Sequence, residues 1–253
     1  VDVMTGHWEF TYLDEEVLRN IDEFAGDFVA QNVRLTDDAI FDGAPAFDED
    51  TGHVFQPYTM RDVGGRAIAV IGQAFPYTPI ANPSRFIPDW TFGIRADELQ
   101  GLVDSIRERE QPDAVVLLSH NGMDVDINLG GVVTGLDAIL GGHTHDGMPK
   151  PVIVSNASGK TIVTNAGSNG KFVGVLDLDF GASGIRYFRY RLLHVFANLL
   201  PPDAEMAAYI DEVRAPHMGA LTEKLAVAEQ LLYRRGNFNC TFDQVICDAQ
   251  RAV

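Results

Sequence analysis

Apolar positions in this chain follow two rhythms that alternate through its first two-thirds. Short runs at Val1–Met4, Phe28–Asn32, Ala67–Ile71, Ala114–Ser119, Ala138–Leu140 and Thr161–Thr164 predict strands, several of them apolar enough to be covered on both faces. Between them, Leu13–Glu23 and Ala96–Arg109 carry the wider spacing of amphipathic helices; Ala96, Leu99, Leu102, Val103 and Ile106 form the stripe of the second. Strands alternating with helices predict an α/β layered fold. Two later strands, Val173–Asp179 and Ile185–Leu193, are too close in sequence for a crossover, so they are expected to be antiparallel and the sheet mixed.

The pattern lapses in three places. Asp42–Pro57 is rich in Gly, Pro and acidic residues and reads as a loop or hairpin excursion. Phe75–Trp90 holds four prolines among aromatics, which argues against a regular element and for an ordered loop, functional or packing. Pro201-Pro202 marks a break, after which Asp203 is placed to cap a helix running to about Arg214. The expected organisation is a catalytic-type domain over residues 1–196, a connector over 197–222, and the opening of a second domain over 223–253. Val1 reads as part of a strand already under way. The helix face of Phe242, Val245, Ile246 and Ala249 runs to the last residue without a stop signal, so the chain is expected to be a fragment of a longer protein.

Composition narrows the function classes. A net charge of −17 with no basic cluster argues against a nucleic-acid backbone as partner. No apolar run is long enough for a membrane helix. Cys240 and Cys247 are seven residues apart, a spacing that implies neither a disulfide nor a metal pair.

Candidate chemistry concentrates in histidines. His143 and His145 lie in Gly141-Gly142-His143-Thr144-His145-Asp146-Gly147, just past a predicted buried strand. In an extended segment such residues share a face, and the glycines allow close backbone approach. His120 follows the strand Ala114–Ser119, and His7 follows the first strand. Strand ends of an α/β sheet are where ligands gather, so a pocket shared by all four imidazoles is expected, suited to a borderline transition metal. His53, His194 and His217 sit in loop or exposed contexts and are expected to be inert. Asp124 and Asp126 are read either as carboxylates that orient an imidazole or as favourable charges at a helix start. Arg234-Arg235 reads as a solvated face, with an anion contact as the alternative.

Ser119-His120-Asn121-Gly122, Gly135 through His145, and Thr164-Asn165-Ala166-Gly167-Ser168 resemble the last three blocks of the calcineurin-like metallophosphoesterases, closest to their 5′-nucleotidase branch. The resemblance implies a four-layer αββα sandwich, incomplete here, followed by the start of a 5′-nucleotidase-type C-terminal domain. It implies a two-metal centre in which His7, His120 and His143 bind one metal and His145 the other. The preceding family block is usually Gly-Asn-His-Glu; here it reads Gly6-His7-Trp8-Glu9, so His7 replaces an asparagine ligand and Trp8 replaces the catalytic histidine. Indole neither protonates a leaving group nor carries charge.

Read with that departure, Thr5–Thr11, Ser119–Asp126, Gly142–Pro149, Asn165–Phe172 and Leu232–Asn239 resemble the SoxB family of thiosulfohydrolases; Cys240 stands where that family has glycine. This implies a dimanganese hydrolase of the periplasm, with zinc or iron as alternatives. It would release sulfate from a cysteine S-thiosulfonate on the arm of a Sox carrier protein. Glu9 and Asn121 are the candidate catalytic residues, and Trp8 and Asn239 the candidate substrate-binding ones. The alternatives are a 5′-nucleotidase or other two-metal phosphoesterase, and a metal-binding module without turnover. Because the upstream Asp-x-His and Gly-Asp blocks are not in this sequence, the isolated chain is expected to be inactive and to bind metal weakly.

Overall fold

The strand predicted at Ala114–Ser119 lies in the middle of a six-stranded sheet. In the computed structural model, which describes residues 1–182, 184–234 and 240–252, the chain divides into two compact units, Val1–Phe196 and Ala197–Val253. The first unit opens with β1 (Val3–Met4), α1 (Asp14–Glu23), β2 (Asp27–Phe28), β3 (Arg34–Leu35) and α2 (Asp37–Asp42). It continues with β4 (Tyr58–Asp62), β5 (Ala67–Gln73), α3 (Thr78–Ala81), β6 (Trp90–Thr91), α4 (Ala96–Arg109), β7 (Ala114–Ser119) and α5 (Met123–Val132). It closes with β8 (Ala138–Gly141), β9 (Val152–Asn156), β10 (Gly159–Asn165), β11 (Phe172–Gly181) and β12 (Gly184–His194).

The sheet runs β4-β5-β7-β8-β10-β9. Its four inner strands are parallel, with α4 and α5 as crossovers, and the edge strands β4 and β9 are antiparallel. The sheet is therefore mixed, but through these edges. The hairpin β11–β12, antiparallel as predicted, forms a sheet of its own. Alternation along β7 sends Val115 and Leu117 to one face and Ala114 and Val116 to the other. The first face packs on Leu99, Val103 and Ile106 of α4 and Leu129 of α5. The second packs on Leu176, Leu178, Phe180, Ile185 and Phe188 of the hairpin. Each fully buried aliphatic contributes about 1.5–3 kcal/mol, so the stripe on α4 is enough to fix that helix. Three of the four expected layers are thus present among the described residues: helices, sheet and hairpin. A separate core of Phe10, Val17, Phe28, Phe55 and Trp90 fills the region of β1–β2 and β3–β6.

Predicted and observed elements differ where the apolar run is short. Of Phe28–Asn32 only Phe28 lies in a strand. The backbone of Val29, Ala30 and Gln31 instead bonds Met4, Gln56 and Gly72, spanning two sheets. Phe75–Trp90 contains single-turn helices at Thr78–Ala81 and Ser84–Phe86 and ends at Trp90, the first residue of β6. His53, expected in a loop or exposed context, lies outside the named strands and helices but is buried between Arg34 and Thr51, and burial together with the Arg34 guanidinium lowers its pKa to about 4.

In the second unit α6 (Ala204–Arg214) starts at Asp203, whose side chain accepts the Met206 backbone N–H at 2.8 Å. It is followed by α7 (Met218–Leu221) and α8 (Thr241–Ala252). Arg234 pairs with Asp243 at 3.1 Å, an exposed contact. Arg235 and Asn239 lie outside the described residues.

Candidate metal centre

The exits of β7 and β8, adjacent parallel strands, place their following residues side by side, and the loop after β1 reaches the same spot. His7, His120 and His143 meet there: one ring nitrogen from each lies within 4.8 Å of the others. His7 Nδ1 and His120 Nε2 are 3.1 Å apart, and the ring centroids of His120 and His143 are 5.3 Å apart. His145 is exposed and lies outside this triad.

The expected reason for the pairing of His143 and His145 does not hold. The segment is not extended: both residues take the left-handed conformation, at φ 69° and 62°. Non-glycine residues pay about 1 kcal/mol each for this, so the sharp turn is made by the histidines. It is held by Thr144, whose hydroxyl accepts the Met123 N–H at 3.2 Å and donates to Asp146 at 2.6 Å, and by Asn165, whose amide donates to Gly142 O at 3.2 Å. The glycines serve close approach instead. A Cβ on Gly142 would stand 3.1 Å from His120 Nδ1, and one on Gly141 would collide with Asp126 Oδ2.

The electrostatics keep the triad neutral. Burial pushes the His120 pKa down to about 4, helped by the neighbouring His7, His143 and His145. Burial also lowers His7, with His143 adding to the effect and Glu9 opposing it. His143 is lowered by burial and by His145 against the pull of Asp124. Three neutral imidazoles turned toward one point are a fitting donor set for a borderline divalent metal.

Aromatic rings wall the triad. Phe75 stacks on His143 at 4.1 Å between centroids and touches His7 at 4.3 Å. Trp8 stacks on His7 at 5.0 Å yet is 67% exposed, at the open side. Glu9 points elsewhere: its carboxylate accepts the His7 backbone N–H at 2.6 Å, fixing the turn that carries His7. Asn121 is 3% exposed and turned inward, its amide donating to Gln73 and, at 2.8 Å, to Ser119 Oγ. The sequence marks the Phe75–Trp90 loop as functional or packing without singling out Phe75, because nothing local tells which of its aromatics faces the histidines. The dense prolines, which pin such a loop, were the available signal.

Comparison with known proteins agrees with this geometry. No family model matches the chain. It is similar to the Thermus thermophilus sulfate thiohydrolase SoxB, solved with glycerol: 36% identity over 100% of this chain and 43% of that one, TM-score 0.84. It is similar in fold to a 5′-nucleotidase precursor from Thermus thermophilus, at 24% identity over 89% of this chain and 45% of that one, TM-score 0.74. Among curated proteins, the Rattus norvegicus 5′-nucleotidase is 25% identical over 217 residues, 78% of this chain and 37% of its own length. The trifunctional nucleotide phosphoesterase YfkN of Bacillus subtilis is 34% identical over 130 residues, 51% of this chain and 9% of its own. The chain spans less than half the length of each of these relatives. The α/β fold is that of the 5′-nucleotidases and calcineurin-like phosphoesterases, the resemblance to SoxB extends over the whole chain, and these relatives are hydrolases by name.

Proposed function

We propose that this chain supplies part of the metal centre of a SoxB-type thiosulfohydrolase, which releases sulfate from a cysteine S-thiosulfonate on a carrier protein. The observation that carries the reading is Trp8, an exposed indole stacked on His7 where a phosphoesterase of this resemblance would place an ionisable imidazole. His7, His120 and His143 would hold one metal and His145 would serve the second. Bound there, divalent metals such as manganese would acidify a water and stabilise charge building up on a sulfonate. The chain's own residues do the rest. Phe75 excludes water behind His143, Glu9 holds the His7 turn, and Trp8 offers a flat apolar face to the substrate without supplying a proton. A thiosulfonate arm carries less charge than a phosphate monoester, in keeping with an open side lined by indole rather than by a cation. A periplasmic location and a Sox carrier as partner belong to the same reading; among the described residues no helix is long and apolar enough to cross a membrane.

The experiment compares sulfate release from a cysteine S-thiosulfonate carrier peptide with phosphate release from a nucleoside monophosphate. It uses the complete gene product loaded with Mn2+. Sulfate release is expected to dominate, and Trp8→His to shift the balance toward phosphate. Phosphate release outpacing sulfate in the unmodified protein sinks the proposal in favour of a 5′-nucleotidase, a reading supported by the similarity to the Rattus norvegicus enzyme.

A further inference from the structure

The inward face of α5 consists of Asp126, Leu129, Gly130 and the following Val133, the spacing of an ordinary core stripe. An acid in its first place is out of keeping with that stripe. Asp126 is 0% exposed, and its Oδ1 accepts the Ser119 hydroxyl at 2.5 Å. Its Oδ2 has no hydrogen-bond partner among the described residues. Ser119 Oγ in turn receives the Asn121 backbone N–H at 3.1 Å and its amide at 2.8 Å, and the same amide reaches Gln73 Oε1. The Gln73 backbone carbonyl accepts the His120 N–H at 2.9 Å. A chain of buried polar groups therefore brackets His120, with Ser119 and Asn121 on either side of it.

The other end of Asp126 faces β8. A Cβ on Gly141 would collide with Asp126 Oδ2, and one on Gly142 would fall 3.1 Å from His120 Nδ1. Both exits thus lie against one carboxyl: β7 is hydrogen-bonded to it through Ser119, and the Gly141 backbone of β8 packs against Oδ2. We propose that Asp126 is a positioning residue that sets the separation of His120 and His143, holding the two rings ready for a metal in the absence of one. This rests on the metal-centre reading above. Burial pushes the pKa of this carboxyl up to about 6, against the lowering effect of its Ser119 and Asn121 hydrogen bonds. Replacing Asp126 alone with an apolar residue leaves the buried Ser119 hydroxyl without its acceptor, at a cost in stability, so the positions of the two rings, not stability, report the positioning role.

The test uses residues 1–253 with Asp126→Asn, Asp126→Leu and Ser119→Ala. In the metal-free protein, the ring 15N resonances of His120 and His143 report their surroundings. Asp126→Asn should keep them, and Asp126→Leu and Ser119→Ala should move both. Titrated with Co2+ and followed by its visible bands, Asp126→Asn should bind within about threefold of the parent. Asp126→Leu should bind about 10–100-fold more weakly with altered bands, the usual penalty for losing a group that orients a ligand. Should Asp126→Leu fail to fold, Ser119→Ala against Asp126→Asn carries the same contrast. Unmoved ring resonances in a folded Asp126→Leu or Ser119→Ala overturn the proposal. Failure of the unmodified chain to bind Co2+ while the resonances still move sinks the metal reading and leaves the positioning role standing.

Discussion

The two ends of the central sheet both carry carboxylates and treat them oppositely. Where β5, β7 and β8 begin, each carboxylate is matched to a cation. Asp113 accepts the Ala67 N–H and Arg66, both at 2.9 Å; Asp137 accepts the Val115 N–H at 2.7 Å and Arg107 at 2.5 Å. Where the same strands end, Asp126 has a hydroxyl and a more distant amide for partners, Asn121 Oδ1 and Asp126 Oδ2 have none among the described residues, and three imidazoles face each other. One end spends its polar groups on the fold. The other holds them unspent, as expected of a site that awaits a charge from outside. The contrast locates function at the strand exits without reference to any relative.

The most direct way to break the contrast is to empty the unspent end. His120→Ala should lower Co2+ affinity more than about 100-fold while changing the melting temperature little, because the removed ring has no cation or carboxylate relying on it. Asp137→Ala should do the reverse. It leaves Arg107 and the Val115 N–H without their carboxylate, at a cost of about 1–3 kcal/mol, read by thermal denaturation, with Co2+ affinity unchanged. Equal effects of the two substitutions on metal binding would erase the distinction between the ends.

Proton linkage gives a smaller, signed effect in the metal-free protein. His120 and His53 both have folded pKa values of about 4 against 6.5. The unfolded chain therefore takes up protons first as pH falls. Their neutral burial is without penalty above pH 6.5, destabilises progressively down to about 4, and levels off below. Asp126, raised to about 6, works against this by protonating first in the folded state. The melting temperature should fall by several degrees between about pH 7 and about pH 4.5, and His120→Ala should remove part of that slope. A slope that persists in full in His120→Ala would show that His53 and other groups account for it.

How far the sequence could be read follows from the same physics. Long periodic segments were readable: α4 and β7 have the bounds that their apolar spacing predicts, because those side chains are buried where the period puts them. The edge strands β4 and β9 were missed because one-sided burial in five-residue runs leaves a weak pattern. The meeting of His7, His120 and His143 was readable from strand-end placement, whereas the left-handed backbone of His143 and His145 was not, since nothing local distinguishes a strained turn from an extended one. Nor was the inward turn of Asn121, which depends on Gln73, forty-eight residues earlier in the chain.

The smallest predicted effect separates the ends most finely. Thr161 and Thr144 each hold a hydrogen-bonded hydroxyl, Thr161 near the start of β10 donating to Leu136 O at 2.9 Å, Thr144 at the site turn donating to Asp146 at 2.6 Å. Replacing either with Val keeps the shape and removes the hydroxyl, at about 1 kcal/mol of stability. The Thr161 hydroxyl ties β10 to Leu136, just before β8, and accepts the Asn156 amide at 3.2 Å, both away from the triad, so Thr161→Val should leave Co2+ binding untouched. The Thr144 hydroxyl also accepts the Met123 N–H and so ties the strained turn to the start of α5. Without it, His143 is freer to leave φ 69°, a conformation it would not choose unaided. Thr144→Val should therefore weaken Co2+ binding severalfold at the same loss of stability, and a matched pair that binds equally well would mean that the triad does not depend on the turn that carries it.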